Sequence, residues 1–287
     1  MQTLGLIALT FRELWAKKIT LGLFIVSTLA WVLMSFALNL DIVEGSLAGI
    51  RIFGQDAGAP TQSTTNESGD MVSQMLQLET FVLAIESVVV GIAYWLATLL
   101  GLFATAPLLV SLLERGRIDL MLSKPLSRTH LLTGHILGVW LTVTALALYL
   151  LGMIWIVLGI KTGVWNIDFL LAVFVVLAMF AVMYSVVVCL GVFTQSTALS
   201  LIVSYGLIVI SLIFLGKDQL VLQINPPWRQ IFLGFYTVLP NFGEVTQMAV
   251  QLTREEPVTV WYPFSLSLAF GAALYGLAYA HFARRDF

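Results

Sequence analysis

Long stretches of this chain carry no formal charge, and they set what it can fold into. Ser87 to Leu113, Ile136 to Ile160 and Phe169 to Gly216 contain no Asp, Glu, Lys or Arg. A helix of about 20 apolar residues crosses a bilayer's hydrocarbon core of roughly 30 Å. The first two runs each fit one crossing, and the third fits two. Composition agrees: 59% of residues are hydrophobic and 10% charged, against about 25% charged in an ordinary globular domain. The 287 residues leave room for about six spans and no separate soluble domain. Cys189 is the only cysteine, which excludes an internal disulfide and leaves no cysteine cluster for a metal.

The expected fold is an all-α integral membrane protein forming one transmembrane unit over 1–287. Spans are expected at about 19–40, within 81–113, and at about 133–158, 168–193, 198–215 and 263–283. In residues 1–18, Leu4, Ile7, Ala8, Phe11, Leu14 and Trp15 recur at three- and four-residue spacing. That spacing describes an amphipathic helix lying in the membrane surface, in contact with lipid. Arg12, Lys17 and Lys18 precede an uncharged run without an obvious cleavage site, which reads as an anchor. Residues 41–80, rich in Gly, Ser, Thr and Asn, read as a flexible outer loop. They would be a linker or would meet a periplasmic or extracellular partner. Residues 217–262 hold turn signals at Asn225-Pro226-Pro227 and Leu239-Pro240-Asn241 around an apolar piece too short to cross. Interfacial or re-entrant outer helices fit best there, with Trp228, Trp261 and Tyr262 at headgroup level.

Charge counting orients the chain. With the N-terminus inside, the cytosolic set holds nine of the fourteen bases and four of the sixteen acids. Bases favour the cytosolic face, so six spans with both termini cytosolic in a cell inner membrane are expected. Glu86 is the only acid close to an apolar core. Burial at the bilayer centre costs about 3 kcal/mol and would mark a substrate route or a proton site. Its place at the start of an overlong second span favours an interfacial carboxylate instead. His130, His135 and His281 all fall near the cytosolic side, with no pair on opposing spans, so no metal site is expected. Nucleic acid is not an expected partner.

The charged island Glu114–Arg128, ERGRIDLMLSKPLSR, lies between the second and third spans. Ile118, Met121, Leu122, Pro125 and Leu126 share one face of a helical wheel, with Arg115, Asp119 and Ser123 facing away. Pro125 should end that helix, and Ser127 is placed to cap the next. A solvated positive-inside loop is the plain reading of these features. The island also resembles the cytosolic coupling region of ABC transporter permeases of the type-2, exporter-like class, E-x-x-x-G-T-L-x-x-L-L-S-x-P-I-S-R followed by G-K. Glu114, Gly116, Leu122, Ser123, Pro125, Ser127, Arg128 and Gly134 match in order. Arg117 stands where Thr is usual and His135 where Lys is usual. Phe11-Arg12-Glu13-Leu14 is similar to the family's R/K-E-L surface helix.

The resemblance implies a half-transporter that pairs with a second copy or a paralogue. A separate ABC-type ATPase would hold ATP and Mg, leaving no cofactor in this chain. Glu114, Arg115, Gly116, Arg117, Asp119, Lys124, Pro125 and Arg128 would couple to that ATPase. Phe11, Arg12, Glu13 and Trp15 would lie in the surface helix, and the cargo exported would be hydrophobic or amphipathic. No G-x-x-x-x-G-K-[ST] loop is present, because Asp218 follows Gly216-Lys217 and Ser211 stands where the first glycine belongs. Two other classes remain open. A gradient-driven secondary transporter needs polar groups near the midplane, and the spans offer almost none. A non-transporting scaffold or lipid-modifying enzyme could share the topology.

Overall fold

The structure, a computed structural model, describes residues 11–13, 18–43, 46–52, 55–56, 61–65, 71–75, 77–113, 127–258 and 260–284. Among the described residues, five helices are long and apolar enough to cross a membrane. They are α2 (Leu78–Leu112), α3 (Arg128–Thr162), α4 (Ile167–Thr194), α5 (Thr197–Phe214) and α9 (Tyr262–Arg284). Ahead of them stands the apolar helix α1 (Ile19–Ala37). Three short helices separate α5 from α9: α6 (Lys217–Gln223), α7 (Trp228–Val238) and α8 (Phe242–Thr253).

Local signals place the helix ends where the chain reverses. Ser127 Oγ accepts the His130 amide at the start of α3. Asn166 Oδ1 accepts the Phe169 amide ahead of α4, and Ser196 Oγ accepts the Leu199 amide ahead of α5. Each satisfies a donor that the first turn leaves open. α3 ends at Gly163, whose φ of 76° suits a residue without a Cβ.

The helix α4 is the hub. It packs against α2, α3, α5, α8 and α9, and its side chains are buried almost along its whole length. Pairs of contacts give the directions. Gly101 faces Phe180 and Leu109 faces Gly191, so α2 and α4 run parallel. Gly271 meets Val182 and His281 stacks on Phe193 at 4.1 Å, which makes α9 parallel to both. α1, α3 and α5 run the other way. Thr28 Oγ1 lies 3.1 Å from the Tyr149 hydroxyl, and the Lys161 ammonium donates to the Ser35 carbonyl, so α1 and α3 advance together. Tyrosines tie neighbours by donating to backbone carbonyls. Tyr205 reaches Leu99 at 2.9 Å, and Tyr275 reaches Ala181 at 2.8 Å. With lipid outside, packing and such bonds, rather than a hydrophobic drive, hold helices together.

Two expectations need correcting. The 41–80 connection is not a structureless loop, and α1 stops at Ala37, short of the expected Leu40. Strands β1 (Leu38–Val43), β2 (Ser46–Ile52) and β3 (Gln55–Asp56) form one antiparallel sheet, and β4 (Thr61–Thr65) and β5 (Met71–Met75) a second. Leu38 pairs with Ile52 and Thr61 with Met75. The Ile, Val and Thr residues of these segments favour extended backbone, a preference hidden among the Gly, Asn and Asp that read as turns. The fold is therefore helical where it is apolar and extended in this polar connection.

In the 217–262 region, α7 and α8 form a hairpin joined by Leu239-Pro240-Asn241. Burial runs from the turn along one face of α8: Pro240 to Gly243, Val245, Ala249 and Thr253 are buried, while Arg254 to Pro257 are exposed. The Asn241 amide donates to Ser267 Oγ at 3.0 Å, and the Tyr94 hydroxyl donates to the Phe242 carbonyl at 2.9 Å. Thus α8 rises antiparallel to α2 and wedges between α2, α4 and α5. Trp228, Trp261 and Tyr262 are each about half exposed or more, as headgroup-level aromatics should be.

A Cβ added at Gly101 would come within 2.8 Å of the Phe180 ring, and a stiff ring in a packed layer cannot yield. Gly101→Val should therefore destabilise the purified protein by about 1–3 kcal/mol. Gly276, whose Cβ would meet nothing within 4 Å, serves as control. Gly276→Ala should leave the thermal midpoint unchanged or slightly raised.

Candidate functional site

Of the proposed coupling residues, Glu114, Arg115, Gly116, Arg117, Asp119, Lys124 and Pro125 lie outside the described residues, as does Trp15. The structure fixes what brackets them. α2 ends with Leu112 and Leu113 buried, and Arg128 is the first residue of α3. The Ser127 hydroxyl caps α3 and also bonds His130 Nδ1. Phe11, Arg12 and Glu13 are helical, with Phe11 and Arg12 exposed. The 114–126 segment is thus strung between two helices of 35 residues each, about 50 Å long. Both exceed the hydrocarbon thickness.

At the far end of the bundle the structure assembles a polar junction. Glu86, eight residues into α2, is 0% exposed, not the open interfacial carboxylate that its position suggested. Asn166 Nδ2 donates to Glu86 Oε2 at 2.8 Å and to the Thr253 carbonyl at 2.8 Å. One amide therefore satisfies a carboxylate on α2, the last carbonyl of α8 and, through its oxygen, the first turn of α4. Trp155 Nε1 of α3 donates to the Asn166 carbonyl at 2.7 Å, bringing in a fourth helix. Among the described residues, Glu86 Oε1 has no hydrogen-bond partner. The positive end of the α4 dipole lies beside the carboxylate and offsets part of its burial. Next to it, Arg254 Nε donates to Ser87 Oγ at 3.2 Å.

Residues 10–287 match the family described as ABC-2 family transporter protein. The chain belongs to the ABC-2 transporter family. It is a multi-pass membrane permease, a component of a transporter, as the island motif and the apolar helices suggested. Among curated proteins, none matches the chain.

This ABC-2 permease carries a second polar cluster in the α6–α8 region. The Tyr236 hydroxyl donates to Glu244 Oε2 at 2.6 Å and accepts from Lys217 Nζ at 3.2 Å. The Lys217 ammonium also lies 3.5 Å from Glu244 Oε1 and 4.3 Å from the Tyr236 ring centre. Burial, then the adjoining carboxylate, pushes the Tyr236 phenol well above its ordinary range, so it remains a donor. The cluster joins α6, α7 and α8.

Neither cluster was visible as such in the sequence. Asn166 precedes an apolar run and signals a cap, but its pairing with Glu86 spans 80 residues and leaves no local trace. The junction is testable by exchanging roles. Asn166→Asp keeps the cap but sets a carboxylate against Glu86, and should destabilise the permease by roughly 2–4 kcal/mol. Adding Glu86→Gln should recover part of that loss, because the new amide can donate to the new carboxylate. Thermal unfolding of the purified single and double variants in detergent reads both effects.

Proposed function

We propose that this permease is a half-transporter whose 114–128 island transmits ATP-driven motion from a separate ATPase, moving a hydrophobic or amphipathic substrate outward. The supporting observation is where the island is strung. It joins α2 and α3, both of which pack on the central α4, so a displacement applied to it loads the hub from two sides. ATP and Mg would be held by the partner subunit, since this chain lacks a phosphate loop. Two permease copies, or this chain and a paralogue, would flank the substrate route.

In this reading α1 is the sixth crossing, the six spans alternate in direction, and both termini face the cytosol of an inner-membrane protein. Alternation agrees with the opposed directions of the two helix sets. The basic residues then gather on the island side. Rigid-body tilting of packed helices is the motion such a lever would drive, because interiors are too closely packed to deform smoothly.

The reading makes a direct demand on the island. Arg115→Glu combined with Arg128→Glu should abolish substrate-stimulated ATPase in the reconstituted complex while leaving assembly intact by size-exclusion chromatography. Unchanged stimulation in an assembled double mutant would overturn it.

A further inference from the structure

Two clefts flank the exposed ridge of α2. The first, of 570 Å³, lies between α2 and α8, with Ser87, Trp95 and Arg254 on its walls. The second, of 340 Å³, lies between α1, α2 and α3. Ile92 and Leu96 belong to both. The second exists because α1 rests on α3, through Phe24 stacked on Tyr149 at 4.8 Å and Trp31 bonded to the same residue, and stands off from α2. Side by side across Ile92 and Leu96, the clefts follow α2 from Ser87 to Gly101 over about 20 Å, a stepped groove with those two side chains as its apolar ridge.

The two ends of the groove differ chemically. From Ile92 to Gly101 its walls are almost wholly aliphatic, and they open sideways. Val88, Ile92 and Leu96 of α2 and Val26 of α1 are each more than half exposed, which in a spanning helix means exposed to lipid. The other end carries the Arg254 guanidinium. Its Nε is committed to Ser87, which fixes the plane of the group. Among the described residues no carboxylate or carbonyl pairs with its two terminal nitrogens. Glu86, the nearest buried acid, bonds Asn166 instead. A planar fork of this kind favours a doubly bonded phosphate oxygen pair. The level along the bundle suits a headgroup as well. Ser87 adjoins Glu86, which bonds Asn166, and Asn166 accepts in turn from Trp155; tryptophans gather at the membrane interface. Below that level one leaflet offers about 15 Å of hydrocarbon, which the aliphatic part of the groove roughly matches.

We propose that this groove is a binding site for an anionic phospholipid of the outer leaflet, with its phosphate on Arg254 and one acyl chain along Ile92, Leu96 and Leu100. The site rests on the proposed orientation, which makes the Arg254 end the outer face. It narrows the substrate class of the same reading to lipids with a negatively charged head.

Native mass spectrometry of the purified full-length permease tests this without an ATPase, so its failure and the failure of the coupling reading are separable. Mixed micelles would contain phosphatidylglycerol or phosphatidylcholine of identical acyl chains. The wild type should retain phosphatidylglycerol preferentially. Arg254→Gln should weaken that retention about tenfold, to the level of phosphatidylcholine. Ile92→Trp, which fills the exposed groove without entering the core, should lower retention of both lipids. Wild-type selectivity in Arg254→Gln overturns the headgroup assignment, and wild-type retention in Ile92→Trp overturns the groove. A loss of dimer in Ile92→Trp with lipid unchanged assigns the face to a second copy and likewise overturns the proposal.

Discussion

The close approach of α2 and α9 to α4 is the constraint on which the other placements depend. Gly101 lets the Phe180 ring lie against the α2 backbone, Gly191 receives Leu109, and a Cβ added at Gly271 would come within 3.2 Å of the Val182 Cα. In lipid the apolar side chains of separate helices gain little by leaving their surroundings, so intimate van der Waals contact must do most of the binding. Three parallel helices locked at glycines form the rigid centre. α3 and α5 lie around it and, like α9, leave most of their surfaces open. α1 touches that centre chiefly through α3, which is why a cleft remains beside it.

Much of this architecture was legible in the chain. Uncharged runs placed the long helices to within a few residues, and Ser127 was legible as the cap of the helix that follows the island. The turn at Leu239-Pro240-Asn241 was legible as a turn, but not as one with Pro240 and Asn241 buried. α8 was the harder element: FGEVTQMAVQLT carries Glu244, Thr246 and Gln247, is too short to cross, and shows little apolar density. Its burial is decided by partners on α2 and α4 that lie far away in sequence. Propensity and periodicity report local preferences, and a wedge between three helices is a tertiary event. The same holds for Glu86. A single carboxylate at a helix start looks interfacial until Asn166 is brought to it.

The island presents the opposite case. Its motif was the clearest statement in the sequence, and the family match over residues 10–287 agrees with the class it indicated. Its geometry, however, lies in residues outside the described set. What the fold contributes is the pair of anchors on either side, a buried Leu112–Leu113 and a capped Ser127, which hold the two ends of the segment to the bundle.

Those anchors bear on how far a displacement of the island would travel. Pro107 interrupts the hydrogen-bond ladder of α2, removing one backbone donor and loosening the helix there. A lever attached at Leu113 would then flex at the proline and leave the rest of α2 at rest. Leu109 prevents this, because it lies on the island side of Pro107 and packs against the bare backbone of Gly191 on α4. Gly101 and Phe180 repeat the same clasp on the other side of the proline. The two contacts bridge the weak point through α4, so α2 and α4 shift together. The far ends of both helices meet at Glu86 and Asn166, beside the mouth of the groove. In the proposed reading, a movement begun at the island would thus be carried toward the wall that holds Ser87, and with it Arg254.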